Sequence, residues 1–194
     1  METLVAATLA IMALTAVAPR AEAQVIPPQV PANIEAPDGN TPFLVGHAYG
    51  TQNYLCLLAP GGFAWTFVGP QATLFDDGGR QLITHFLSAN PDENGTPRAT
   101  WQQSEDTSAV WALAIANSTD PAYVKPGAIP WLLLRVVGAE EGPTGGAALS
   151  GATFVQRVNT NGGVAPPAKL CAQAVDIGRK ALVPYTADYV FYRN

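Results

Sequence analysis

Residues 128–138 read AIPWLLLRVVG, and residues 152–166 read ATFVQRVNTNGGVAP. Ile129–Val137 is an almost unbroken apolar run, which is typical of a β-strand buried on both faces. Phe154–Thr160 alternates apolar with polar residues, as in a strand that has one wetter face. We expect these two strands to pair or pack against each other and the rest of the domain to close around them.

The rest of the chain consists of short apolar runs separated by turn signals. The clearest turn signals are Tyr49-Gly50, Pro60-Gly61-Gly62, Gly69-Pro70 and Asp76-Asp77-Gly78-Gly79. About ten short strands are predicted, with at most one short helix over Ala168–Val175 after Pro166-Pro167. This pattern predicts an all-β fold, either a single-domain β-sandwich or a closed β-barrel.

The N-terminal residues have the features of a signal peptide. An apolar run over Leu4–Ala18 is followed by Ala21-Glu22-Ala23, an A-x-A pattern at which signal peptidase cleaves. The alternative is a buried N-terminal helix, which Pro19 and Arg20 disfavour. We therefore expect residues 1–23 to be removed and the protein to be secreted or periplasmic.

The mature chain is expected to begin with a proline-rich leader, residues 24–42, followed by one β-domain, residues 43–194. Five prolines keep the leader extended, either as a loose segment or as a strap laid over the domain. The apolar runs are shorter than the roughly 20 residues that a membrane helix needs, so no membrane span is expected in the mature chain.

The charge content excludes one class of partner. Charged residues make up 13% of the chain, the formal net charge is −5, and the basic residues do not cluster. Binding to a phosphate backbone requires Lys and Arg gathered on one face, so nucleic acid is not an expected partner.

Two cysteines, Cys56 and Cys171, are present. In an exported protein an even pair is typical of a disulfide. A metal site would need more ligands at short spacing than these cysteines and two histidines supply, so we expect no metal and no cofactor.

Candidate catalytic residues are few. The chain has no nucleotide-binding loop, no serine-hydrolase elbow and no zinc-protease motif. The hairpin through Asp77-Gly78-Gly79 is expected to place His85 near Asp76 on a neighbouring strand, and His85 with Asp76 or Asp77 could then act as a general base or a metal ligand. The alternative is structural, with the two aspartates shaping a turn and His85 ending a strand. His47 is interpreted as an ordinary strand or turn residue.

The candidate binding residues are Arg157, Gln52 and Trp101. Arg157 could hold an anionic ligand in a two-pronged contact. Alternatively it could pair with an internal carboxylate, Asp188 or Asp76, and fix the register of its strand. Tryptophans and tyrosines could line a groove for a sugar, although in a β-domain most of them belong to the core.

Several motifs, taken in order, resemble a family of small exported proteins known as domain of unknown function 3455. The motifs are GTQNYLC (Gly50–Cys56), GPQATLF (Gly69–Phe75), THF (Thr84–Phe86), AIPWLLL (Ala128–Leu134), QRVNTNGGVAP (Gln156–Pro166), Cys171 and VPYTADYVFY (Val183–Tyr192). The resemblance implies a single exported domain, places the family's cysteine pair on Cys56 and Cys171 and its histidine on His85, and implies no activity.

Two functions are therefore open at this point. The first is an exported module that binds a small molecule, a glycan or a protein partner, or that has a structural role. The second is a hydrolase or metal-dependent enzyme that uses His85 with Asp76 or Asp77. The sequence does not decide whether the protein is an enzyme.

Overall fold

The computed structural model describes residues 25–194, and the predicted signal peptide, residues 1–23, lies outside them. Eight antiparallel strands follow one another in chain order around a closed barrel, in which β1 also pairs with β8. The strands are β1 (Thr41–Ala59), β2 (Gly62–Phe75), β3 (Gln81–Asn90), β4 (Thr96–Gln103), β5 (Ala109–Ser118), β6 (Trp131–Glu140), β7 (Phe154–Gly162) and β8 (Lys180–Arg193). The all-β prediction is confirmed, and the barrel rather than the sandwich is the architecture.

The helical content of residues 25–194 is limited to short 3-10 turns. Two of these turns, Ala168–Leu170 and Ala174–Asp176, stand where one short helix was predicted. No helix in the described part of the chain is long and apolar enough to cross a membrane.

The apolar stretch 129–137 and the alternating stretch 154–160 are neighbours in the barrel. They form β6 and β7, which pair antiparallel from Leu132 opposite Arg157 to Arg135 opposite Phe154. The predicted pairing is confirmed. The first half of β6 is buried on both faces, as predicted, because Leu134 belongs to the barrel core and Trp131 and Leu133 belong to a second apolar cluster outside it, whereas Arg135 is exposed.

The barrel has eight strands rather than about ten because two predicted turns lie inside long strands. Gly50 sits opposite Ala72 in the β1–β2 pairing, where a Cβ atom would collide with the Gln71 carbonyl oxygen, so this glycine allows a close approach of two strands. Gly69 has a φ of 137° and lies at a shift in the β1–β2 register, so this signal marks a β-bulge.

One half of the barrel interior is filled by apolar side chains. We call this half the packed half; its core consists of Leu74, Ile83, Val110, Leu149, Val155 and Phe191, each with no exposed surface. Leu149 comes from the β6–β7 connection, whose backbone is held at this end by hydrogen bonds from Ala148 to Asp106 (2.8 Å) and from Leu149 to Ser108 (3.1 Å).

The proline-rich leader is a strap on the outside of the barrel. Its residues 25–36 cover an apolar outer surface made by Trp131, Leu133, Val158 and Val190, with Ile34 fully buried in the contact. Buried Gln156 fixes the strap, because its side-chain amide donates to the Ile34 carbonyl (2.6 Å) and accepts from the Tyr192 hydroxyl (2.5 Å). Of the two forms expected for the leader, the structure shows the strap.

The predicted disulfide between Cys56 and Cys171 is confirmed. It links the C-terminal part of β1 to the connection between β7 and β8, and both cysteines are buried. The backbone of Cys56 also exchanges hydrogen bonds with this connection, donating to Arg179 and accepting from Gly178, each at 2.9 Å. The disulfide therefore fastens the longest loop at the end of the barrel opposite the packed half.

Candidate functional site

The other half of the barrel interior contains a cavity of about 250 Å³. We call this cavity the cup. It reaches the surface between β2 and β5, where the rim is formed by Phe67, Leu87, Pro97, Arg98, Leu113 and Ala114. Deeper in, its wall is lined by Gln52, Pro70, His85, Ala99, Trp101, Ala112, Leu132, Leu134, Arg157 and Tyr189.

The cup exists because small side chains occupy inward positions on adjacent strands. Ala99 on β4 pairs with Ala112 on β5, and Ala114 follows on the same face two residues later. Alternation places every second residue of a strand inside the barrel, so three alanines in a row leave room that leucines or phenylalanines would fill. Most eight-stranded barrels of this kind are just wide enough to be filled or to hold one small ligand.

Three aromatic rings separate the cup from the packed half. The imidazole of His85 stacks on the indole of Trp101, with ring centroids 4.3 Å apart and an interplanar angle of 11°. Tyr189 meets both rings edge-on or tilted, at 4.9 Å from His85 and 5.5 Å from Trp101. Trp101 in turn contacts Phe191 of the packed half at 6.1 Å. These rings form the floor of the cup.

The hydrogen bonding of His85 defines its tautomer. Its Nδ1 lies 2.8 Å from the carbonyl oxygen of Thr100, which accepts only, so Nδ1 carries the proton and Nε2 is an acceptor. Burial lowers the pKa of His85 to about 3, and the nearby charge of Arg157 acts in the same direction. His85 is therefore neutral at physiological pH.

Arg157 brings the positive charge of the cup. It lies on β7 and donates from Nε (3.2 Å) and Nη2 (2.8 Å) to the carbonyl oxygen of Pro130. The carboxylates considered as partners lie elsewhere: Asp188 accepts from His47 and Asn159, and Asp76 accepts from Arg80. The prediction of an internal ion pair is wrong, because Arg157 and Asp188 lie on opposite faces of the sheet formed by β7 and β8.

In contrast to these arginine nitrogens, two side-chain nitrogens of the lining are buried without a hydrogen-bond partner. They are Nε2 of Gln52 and Nε1 of Trp101, whose side chains are 3% and 0% exposed. Buried donors in folded proteins are nearly always paired, so each of these groups requires an explanation. The structure thus brings Arg157, Gln52 and Trp101, the three candidate binding residues, to one cavity.

The candidate catalytic residues, in contrast, are not brought together. His85 pairs with Ala72 on β2, four residues before Asp76, a separation of about 13 Å along the strand. Asp76 is used in its own turn, where Oδ1 accepts from the backbone of Gly78 (3.0 Å) and Arg80 (2.8 Å). The expectation that the hairpin would bring His85 near Asp76 is wrong, because His85 faces inward halfway along β3.

Asp77 is engaged by His47, not by His85. The imidazole of His47 lies between two carboxylates, with Nδ1 2.7 Å from Asp188 and Nε2 2.9 Å from Asp77. The hydrogen bond to Asp188 raises the pKa of His47, against the opposing effect of partial burial. This cluster lies on the outer surface near the start of the strap. Interpreting His47 as an ordinary strand residue missed these two partners.

The geometry offers no assembled catalytic centre of the kind that was considered. Within residues 25–194, no group of three or more His, Cys, Asp or Glu side chains is placed to hold a metal ion. The inward histidine is neutral, buried and bonded to a backbone carbonyl. What this arrangement can do chemically is enclose a small molecule and offer it hydrogen-bond donors.

One pattern in the sequence indicates the cup. Alanines alternate with larger residues in AVWALAIA (Ala109–Ala116), and this pattern places small side chains on the inner face of β5. Knowing that these alanines meet Ala99 requires the β4–β5 register, which depends on the lengths of loops that local patterns leave open.

Comparison with known proteins agrees with the resemblance seen in the motifs. No curated protein and no solved structure matches the chain. The family model described as "Protein of unknown function (DUF3455)" matches residues 37–193, which include all eight strands, the disulfide and the cup. The chain therefore belongs to the DUF3455 family.

Proposed function

We propose that this protein is an exported binding protein that holds one small, mainly apolar molecule in the cup. The observation that carries the proposal is the contrast in filling along a single barrel: one half is packed solid, and the other contains a cavity of about 250 Å³ that opens at the surface. An apolar cavity of about 150 Å³ is sufficient to bind benzene, so the cup has room for a somewhat larger molecule.

The lining favours a small molecule over a glycan. Alanine, leucine and aromatic side chains make up most of the wall, and a few polar groups converge on it, which is the usual composition of a small-molecule site. A sugar would bring many hydroxyl groups into this wall and leave most of them unpaired, at a cost for each.

Export is part of the proposal. Its support is the apolar run and A-x-A site before residue 24, together with a buried disulfide, a bond that persists in oxidising compartments. The intact mass of protein recovered outside the cytoplasm tests this part. A mass that still includes residues 1–23 would contradict it.

Binding is tested by blocking the cup with one side chain. Ala99 is half-buried and lines the cavity, so Ala99→Leu adds a branched side chain where space exists. The control is Ala64→Leu at an exposed position of β2 outside the cup. Thermal unfolding is followed for each variant with and without small aromatic probes such as 4-nitrotoluene.

A probe that binds only the folded state stabilises it by about 2.7 kcal/mol at 100 times its Kd, which raises the melting temperature by several degrees. The proposal predicts this rise for the wild type and for Ala64→Leu, and its loss in Ala99→Leu. Equal responses of all three proteins would show that the probes bind somewhere other than the cup.

A further inference from the structure

We infer that the natural ligand of the cup is a small carboxylate whose acidic group is received by Arg157 and whose apolar body lies against the alanine wall. This inference deepens the proposed function and depends on it. The starting observation is that Arg157 brings a positive charge to the lining, and that two buried nitrogens of the lining, on Gln52 and Trp101, are donors without a partner.

Arg157 is held in place but its charge is not compensated. Its Nε and Nη2 donate to the Pro130 carbonyl, and its guanidinium also contacts the Tyr189 hydroxyl, so both of these partners are neutral. None of the ion pairs found within residues 25–194 includes Arg157. A planar guanidinium with free N–H groups is suited to a carboxylate, which offers two oxygens in the same plane.

Arg98 does not compete for the ligand, although it lines the rim of the cup. It is already paired in a two-pronged contact with Glu93, from Nε to Oε2 (2.6 Å) and from Nη2 to Oε1 (2.8 Å). This pairing lowers the pKa of Glu93 to about 2, chiefly through the hydrogen bonds from Arg98. Of the two arginines that line the cup, Arg157 is therefore the one left for an anion.

Two neutral side chains of the lining carry further donors. Nε1 of Trp101 and Nε2 of Gln52 are buried and without a partner. A carboxylate oxygen that reached either nitrogen would pair with it, whereas a donor group of the ligand would leave it unsatisfied. A third unpartnered nitrogen, Nε1 of Trp131, belongs to the outer surface beneath the strap and plays no part in the cup.

No negative charge in the lining opposes an anion. The residues that line the cup include no Asp or Glu, and His85 offers only its Nε2 lone pair. Tyr185 and Tyr189 share a hydrogen bond of 3.2 Å, and burial raises the pKa of both, so both phenols stay protonated. An anionic ligand therefore meets Arg157 without a repelling carboxylate or phenolate beside it.

The test uses two probes of the same shape that differ in charge. 4-Methylbenzoate carries a carboxylate, and 4-nitrotoluene carries a neutral nitro group of similar outline. Calorimetric titration of the wild-type protein at pH 7 is expected to give at least a tenfold lower Kd for 4-methylbenzoate. This comparison needs no variant, so it stays decisive even if a substitution in the cup impairs folding.

Arg157→Gln is the variant that assigns the difference to one residue. It is expected to raise the Kd of 4-methylbenzoate at least tenfold and to leave that of 4-nitrotoluene within about twofold. The matched control is Arg135→Gln, an exposed arginine on the outer face of β6, for which both affinities are expected to equal those of the wild type.

Two results would overturn the inference, and they are distinguishable. If both probes bind the wild type equally well and Ala99→Leu abolishes both, the cup binds small molecules but does not select an anion, and the proposed function stands alone. If neither probe binds the wild type, the proposed function is overturned together with the inference.

Discussion

The two halves of the barrel interior are built from the same strands and yet differ in what fills them. On β8 the inward residues run from Tyr185 and Tyr189 beside the cup to Phe191 in the packed half. On β7 they run from Arg157 to Val155. The packed half follows the ordinary rule that a core is apolar and dense. The cup departs from this rule because it is neither densely filled nor entirely apolar. Function is expected at sites that depart from the rule in this way.

The largest expected loss of stability comes from removing the disulfide that fastens the β7–β8 connection. In the chain-entropy model, a bond between residues 115 apart in sequence stabilises by about 4–5 kcal/mol, so Cys56→Ala with Cys171→Ala should lower the free energy of unfolding by that order. Chemical denaturation of this double variant measures the loss. A midpoint equal to that of the wild type would show that the β7–β8 connection is held without the bond.

A matched pair of leucine truncations compares the two halves directly. Leu74 is fully buried in the packed half, so Leu74→Ala should cost about 2–5 kcal/mol of stability. Leu132 is half-buried and borders an existing cavity, so Leu132→Ala removes fewer contacts and should cost clearly less. Denaturation midpoints measured side by side decide this. Equal costs would mean that the cup is as tightly filled as the packed half.

The two histidines should make opposite contributions to the pH dependence of stability. His85 has a folded-state pKa of about 3, below its unfolded value, so its contribution is complete above pH 6.5 and is lost as the pH falls towards 3. Between pH 7 and pH 5 this amounts to about 2 kcal/mol. His47 has a raised pKa, so the stability that it contributes is present at low pH and is lost as the pH rises through that pKa.

Replacing each histidine separates these contributions. His85→Asn keeps an N–H donor near the position of Nδ1 but does not titrate, so its stability should fall less than that of the wild type between pH 7 and pH 5. His47→Asn should show the reverse change in slope. Urea denaturation across this pH range measures the free energy of unfolding. If that of His85→Asn falls as steeply with decreasing pH as that of the wild type, His85 is not the buried neutral group described above.

The fold was more predictable than the site, for a physical reason. Strand periodicity is a local property, so the β6–β7 pairing, the all-β class and the cysteine pair could be predicted from residue patterns. Turn signals misled at Gly50 and Gly69, because glycine serves close strand approach and β-bulges as well as turns. This ambiguity is the reason why about ten strands were predicted and the barrel has eight.

The site depends on which inward residues meet across the barrel. The prediction joined His85 to Asp76 through one hairpin, whereas the β3–β4 pairing places His85 beside Trp101 and barrel closure brings Tyr189 of β8 against it. Arg157, Gln52 and Trp101 were named as separate candidates, and only the register of eight strands shows that they share a cavity. Long-range register is set by the whole sheet and is therefore hidden from local patterns.

The most direct test of the account is a crystal structure of the protein soaked with 4-iodobenzoate. The iodine atom marks the position of the ring by its anomalous scattering, and the carboxylate shows the orientation. We expect an iodine peak inside the cup near Ala99 and Ala112, with the carboxylate oxygens within hydrogen-bonding distance of Arg157. A cup closed by side chains, or a probe bound only on the outer surface of the barrel, would contradict the account.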